Sequence, residues 1–125
     1  MSPNISNIET LKRLISGMAN KLSSEGYDVQ ADYIGHPNGK PDEFNKYTPN
    51  IYAVKGDKKI IVDASDCDSL ASVSEENELN LRWNAFSKVE GVEFMVIVPR
   101  SCLQKAKELS EKWGININTC WSMDI

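Results

Sequence analysis

Two apolar segments on either side of a short polar turn constrain the fold of this chain more than any other feature. Residues 50–54 and 59–64 are rich in apolar and β-branched side chains, and Lys55-Gly56-Asp57-Lys58 lies between them. Such a turn between two strand-like runs predicts a β-hairpin. Because the strands of a hairpin run antiparallel, we expect Asn50, at the start of one strand, to lie beside Asp63, at the end of the other.

Three further segments have the patterns of strands. Residues 27–33 alternate between apolar and polar side chains, which indicates a half-buried strand, and residues 115–121 alternate in the same way. Residues 92–98 form an apolar run that stops at Pro99. The run at 60–62 is apolar throughout, which is typical of a central strand that is covered on both faces.

Helical periodicity appears in three places. The first helix follows Ser6-Asn7-Ile8-Glu9, a sequence with the form of a capping box, and it stops near Gly26. The second is predicted over about 74–89, and the third opens at another capping box, residues 101–104, and ends at Gly114. The apolar positions of these helices are Ile8, Leu11, Ile15, Met18 and Leu22, then Leu79, Trp83 and Phe86, and last Leu103, Ala106, Leu109 and Trp113.

The order helix-β-β-β-helix-β-helix-β predicts one α/β domain over residues 1–125. The hairpins of the first half imply antiparallel pairing, whereas the alternating strands and helices of the second half imply parallel crossovers. A mixed sheet with helices on both sides follows. Residues 65–74 are polar, and residues 35–48 are predicted to form a long loop that is either mobile or functional.

Charge and cysteine content narrow the functional classes. The net charge of -4 argues against a strongly basic coat for nucleic acid, although a local basic groove stays open. No apolar run is long enough to span a bilayer, and the first residues lack the features of a secretory signal. The cysteines have no zinc-binding spacing, so we expect free or buried thiols and a reduced, cytoplasmic setting. They are Cys67, Cys102 and Cys120.

The chain resembles the restriction-endonuclease-like, or PD-(D/E)XK, nuclease superfamily over nearly its whole length. The core of that family is helix-β-β-β-helix-β, with Pro-Asp at the start of the second strand and Asp/Glu-x-Lys at the end of the third. Pro49-Asn50 and Asp63-Ala64-Ser65 fall at those two places. Other segments that resemble members of the family are Gly26-Tyr27-Asp28-Val29, Asp66-Cys67-Asp68-Ser69-Leu70, Arg82-Trp83-Asn84-Ala85-Phe86 and Trp113-Gly114-Ile115.

The resemblance implies a catalytic site that holds Mg²⁺ or Mn²⁺. Asp63, Asn50 and the backbone carbonyl of Ala64 would be the metal ligands, and the metal would activate a water for phosphodiester hydrolysis. Asn50 replaces a carboxylate, and Ser65 stands where the family has lysine. Arg82, on the following helix, is the candidate for the missing positive charge.

Each candidate also has a plainer interpretation. Asp63 could cap the turn after its strand, and Asn50 could open its strand by bonding to nearby backbone. Glu9 could supply an extra acid to the site, but the capping box accounts for it. Lys59 is a weaker substitute for the missing lysine, and His36, in the long loop, is interpreted as a surface residue.

These observations lead to a functional expectation with two alternatives. The chain is expected to be a degenerate nuclease-like domain that associates with DNA or other nucleic acid, with weak or lost Mg²⁺-dependent hydrolysis. The first alternative is an inactive protein-interaction module on the same scaffold, which forms a homodimer through the edge strand at 115–121. The second is a nuclease subunit whose missing residues come from a partner chain.

Overall fold

A five-stranded mixed sheet organises the chain, in the order β1-β2-β3-β4-β5. The computed structural model describes residues 3–32 and 38–124, and only the backbone of residues 3–7. The elements are α1 (Pro3–Ser24), β1 (Asp28–Ala31), β2 (Ile51–Lys55), β3 (Lys58–Ala64), α2 (Cys67–Ala71), α3 (Glu76–Ser87), β4 (Glu93–Pro99), a 3₁₀ turn (Arg100–Cys102), α4 (Leu103–Trp113) and β5 (Thr119–Met123).

Strand directions confirm the predicted mixed sheet. β1 pairs with β2 and β2 with β3 in antiparallel fashion, whereas β4 is parallel to both β3 and β5. The hairpin between β2 and β3 closes where Lys55 pairs with Lys58. Its turn needs Gly56, whose φ of 59° lies in the left-handed region that glycine adopts without steric cost.

Helices cover both faces of the sheet, so each face has its own apolar core. On one face, α1 contributes Leu14, Met18 and Leu22, which belong to a core that includes side chains from all five strands. On the other face, α3 and α4 contribute Trp83 and Leu109, among others. The alternation of side chains along the central strands divides them between the two cores, which explains the continuous apolar runs at 60–62 and 94–98.

Both predicted capping boxes are wrong. α1 begins at Pro3, a residue that is favoured in the first turn, so Ser6 lies within the helix rather than before it. Ile8 was assigned to the buried face but is 66% exposed. The 3₁₀ turn precedes α4, and its last residue, Cys102, occupies the N-cap position without a side-chain cap bond. The predicted stop at Gly114 is confirmed, with φ at 64°.

The polar segment after β3 contains a short helix, α2, which is absent from the predicted order of elements. Asp66 is buried and occupies its N-cap, where the side chain accepts a hydrogen bond of 2.7 Å from the Ser69 N–H. Cys67 begins the helix and forms a disulfide with Cys102. The expectation of free thiols is therefore wrong for these two cysteines, whereas Cys120 is free.

The last strand begins later than predicted. β5 starts at Thr119, and Asn118 marks its entry because its backbone N–H donates to the Phe94 carbonyl at 2.8 Å and its side-chain oxygen accepts from the Phe94 N–H at 2.9 Å. β1 is also shorter than predicted, and Tyr33 lies outside the described residues. Within 3–32 and 38–124, no helix combines the length and hydropathy that a bilayer crossing requires.

Candidate functional site

Asn50 and Asp63 lie beside each other at the ends of neighbouring strands, as the hairpin predicts. Ile51 of β2 pairs with Val62 of β3, so the next residue outward on each strand is one of these two. Asn50 Oδ1 accepts a hydrogen bond of 2.8 Å from the Ala64 N–H. The side-chain amide thus ties the end of β3 to the start of β2, and its oxygen is used within the protein.

The carboxylate of Asp63 is buried and has a hydrogen-bond donor on each oxygen. Arg82 Nη2 donates to Oδ1 at 2.6 Å, and Trp83 Nε1 donates to Oδ2 at 3.0 Å. The Asp63 side chain is only 2% exposed, against 24% for Arg82. An ionised carboxylate in an apolar interior is costly unless a positive charge and donors accompany it, and these two neighbours supply both.

Aromatic rings and backbone surround the guanidinium of Arg82. Its central carbon lies 5.4 Å from the centre of the Phe86 ring and 6.0 Å from that of Tyr47. Nη2 also approaches the Thr48 carbonyl oxygen at 3.4 Å. Burial by itself lowers the pKa of Arg82, but attraction to Asp63 and their hydrogen bond outweigh burial, so the pKa is raised above its ordinary value. Arg82 is therefore a fixed cation in this site.

A cavity of about 250 Å³ brings together every residue that the sequence assigned to the catalytic and metal site. It lies where β2 begins, β3 ends and α3 passes over them. The predicted residues in its lining are Asn50, Asp63, Ala64, Ser65 and Arg82. Because ligand sites in α/β proteins gather at strand ends, this cavity is the best candidate for a functional site in the described part of the chain.

Two further carboxylates line the same cavity and were missed by the sequence analysis. Glu75 precedes α3 and Glu78 lies in its first turn, and both are exposed. The sequence did contain a signal for them: Glu78 precedes Arg82 by four residues and Glu75 precedes Glu78 by three, and residues at these spacings share one face of a helix. With Asp63 they give the lining three carboxylates against one guanidinium, so its formal charge is negative.

As arranged, these side chains do not fit a divalent metal ion. Mg²⁺ takes oxygen ligands at about 2.1 Å in an octahedron and usually retains several waters. Both oxygens of Asp63 face protein donors, and the Asn50 oxygen faces a backbone N–H. Among the residues that the structure describes, no group of three or more His, Cys, Asp or Glu is placed to hold a metal ion.

The other candidate residues lie elsewhere or contribute differently. Ser65 is buried, and its backbone N–H donates to the Ile97 carbonyl oxygen at 3.1 Å, which joins the ends of β3 and β4. Glu9 is exposed on α1, and Lys59 is exposed on β3; neither lines the cavity. His36 lies outside the described residues.

Trp83 has a role that its sequence pattern did not predict. The periodicity of α3 identifies it as a core residue, and it is indeed fully buried against Phe94 and Trp113. Its indole N–H also binds Asp63, which only the tertiary arrangement of α3 over β3 could reveal.

Comparison of the chain with protein-family models, with curated proteins and with solved structures finds no match.

Proposed function

We propose that this chain is a restriction-endonuclease-like domain that associates with nucleic acid and in which Mg²⁺-dependent phosphodiester hydrolysis is weak or lost. The observation that carries the proposal is the convergence of Asn50, Asp63, Ala64, Ser65 and Arg82 on one cavity. The resemblance to the nuclease superfamily assigns the same residues to a single site.

The order of elements supports the nuclease-like part of the proposal. One helix and three antiparallel strands come first, and two helices, the short α2 and then α3, lead into a parallel fourth strand. Asn50 stands immediately before the second strand, and Asp63 is the penultimate residue of the third. These are the positions at which the family carries its two acidic ligands.

The ion pair at Asp63 supports weak or lost hydrolysis. A metal-dependent nuclease needs a carboxylate whose oxygens are available to the metal and a positive charge that stabilises the charge developing on phosphorus. Here Arg82 neutralises Asp63 and donates a hydrogen bond to one of its oxygens, and Ser65 brings no charge. The resemblance makes nucleic acid the ligand class. The acidic lining of the cavity favours few phosphate contacts at this position.

A cleavage and binding assay tests the proposal. Purified protein is incubated with supercoiled plasmid and Mg²⁺ or Mn²⁺, beside an Asp63→Asn variant as the matched control. We expect no more nicking from the natural sequence than from the variant. We also expect measurable binding to duplex DNA, with a shallow dependence of affinity on salt. Rapid nicking that requires Asp63 would contradict the loss of hydrolysis, and failure to bind DNA or RNA would remove nucleic acid as the ligand.

The free edge of β5 favours a second candidate function, a homodimeric interaction module. β5 is the last strand of the sheet, and all five of its residues are half-buried. The Ser65 N–H donates to the Ile97 carbonyl oxygen, so Ile97 faces β3, and Val96 and Val98 face β5. In the β4–β5 register, Thr119 and Trp121 then bond to β4, and the N–H groups of Cys120 and Ser122 point away from it. A second copy could pair with them across a two-fold axis.

Light scattering across a range of protein concentrations tests that candidate. A dimer that Ser122→Pro converts to a monomer would support edge pairing, since proline removes an outward N–H and leaves the bonds to β4 in place. A monomer at every concentration would exclude it. A cytoplasmic location is a separate proposal, tested by counting free thiols in protein that is extracted from cells and alkylated at once. Three per chain would support a reducing compartment, and one, with the disulfide between Cys67 and Cys102 intact, would contradict it.

A further inference from the structure

We infer that Arg82 is a built-in cation that occupies the place of a divalent metal at Asp63 and excludes one. The inference rests on the proposed function only in taking Asp63 as the anion of the site. It concerns what neutralises that anion, and it applies whether or not the domain binds nucleic acid.

The contact geometry sets the two cations in competition for Asp63. Arg82 Nη2 lies 2.6 Å from Asp63 Oδ1, and a metal ligated by the same oxygen would lie at about 2.1 Å from it. The second oxygen, Oδ2, accepts from Trp83 Nε1 at 3.0 Å. Each oxygen has a second lone pair, but a metal that used it would lie a few ångströms from the guanidinium charge and be repelled by it. Arg82 would have to move first, because Trp83 is fully buried in the core.

Arg82 is also anchored away from Asp63, so it is not easily displaced. Its guanidinium lies over the rings of Tyr47 and Phe86, and it approaches the Thr48 carbonyl oxygen. Moving it aside would break these contacts together with the ion pair. The remaining lining is nevertheless suited to a cation, because Glu75 and Glu78 border the same cavity. Removal of the arginine charge should therefore create a cation site.

Mn²⁺ alone is the probe, measured by the loss of its free electron paramagnetic resonance signal. We expect the natural sequence to show no Mn²⁺ binding that depends on Asp63. Arg82→Gln should bind Mn²⁺ at least about tenfold more tightly, because it removes one positive charge a few ångströms from the ion. Combining it with Asp63→Asn should abolish the gain. Arg82→Lys, which keeps the charge, should behave as the natural sequence does, and Arg100→Gln, in the exposed pair with Asp124, should gain nothing.

The Trp83 indole N–H resonance gives a second measurement. Mn²⁺ should broaden this signal in the natural sequence no more than in Asp63→Asn, because ion held loosely by the exposed Glu75 and Glu78 acts on both proteins alike. Broadening that Asp63→Asn removes would overturn the inference, as would a folded Arg82→Gln protein that gains no affinity for Mn²⁺. Neither Mn²⁺ measurement includes nucleic acid. A failure to bind DNA would therefore contradict the proposed function and leave these results unaffected.

Discussion

Reduction of the disulfide between Cys67 and Cys102 should cost this domain a large part of its stability. The bond joins the segments that follow β3 and β4, which are parallel neighbours, and it closes a loop with a sequence separation of 35 residues. In the chain-entropy treatment, a loop of this size removes about 13 cal/mol/K from the unfolded state, or about 4 kcal/mol at 25 °C. For a domain of this length, that corresponds to a fall in melting temperature on the order of 10–15 °C.

Thermal unfolding followed by circular dichroism, with and without a phosphine reductant, measures the effect. A variant with Cys67→Ala and Cys102→Ala should melt low in both conditions. Cys120→Ser is the matched control, because it removes the free thiol and should keep the full response to reductant. The denatured, unreduced protein should show one reactive thiol per chain. Three thiols, or a shift below about 2 °C on reduction, would refute the reasoning, since a closed loop cannot then be constraining the unfolded state.

Three further changes probe the charges and donors of the fold. Asp63→Asn should lower the free energy of unfolding by about 2–4 kcal/mol in urea titrations, because it leaves Arg82 half-buried without its anion. The control Asp124→Asn, in the exposed ion pair with Arg100, should lower it by less than about 1 kcal/mol. Equal effects of the two substitutions would contradict the prediction. Trp83→Phe keeps an aromatic ring but removes the indole N–H and part of the buried ring volume, so the lost donor, at about 1–3 kcal/mol, sets the minimum loss expected by the same titration. Burial raises the pKa of the Cys120 thiol, so the folded state favours its protonated form, and the resulting stability is lost as pH rises through that raised pKa. Its alkylation by iodoacetamide should therefore accelerate at higher pH than in a free cysteine peptide, and a midpoint at or below that of the peptide would count against burial.

Much of the sheet could be predicted because its signals are local. A two-residue period identifies half-buried strands, and a continuous apolar run identifies central ones. The turn at Gly56 also fixes the register of the hairpin, since Lys55 pairs with Lys58 and each step outward then adds one residue to both strands. The same local rule places Asn50 beside Asp63, so the position of these two site residues could be predicted from the turn.

Helix boundaries and the cysteine pair could not be predicted, because they depend on distant parts of the chain. The pattern at Ser6 has the form of a cap, yet the helix continues upstream to Pro3. α2 has only five residues, too few for periodicity to reveal, and it depends on Asp66 as its cap. The disulfide between Cys67 and Cys102 needs the parallel pairing of β3 and β4 to bring the two residues together, and their spacing in the sequence gives no hint of it.

The site and the docking of α3 on the sheet depend on one carboxylate. Arg82 and Trp83 are consecutive residues, about 100° apart around the helix, so they can approach Asp63 from two sides and take one oxygen each. The helix is thereby fixed to the end of β3 by polar bonds as well as by the packing of Phe86 and Leu79. A substitution that frees Asp63 for a metal must also weaken this attachment. Metal binding and stability should therefore change in opposite directions when Arg82 is replaced, because the same guanidinium that excludes the metal also holds the helix in place.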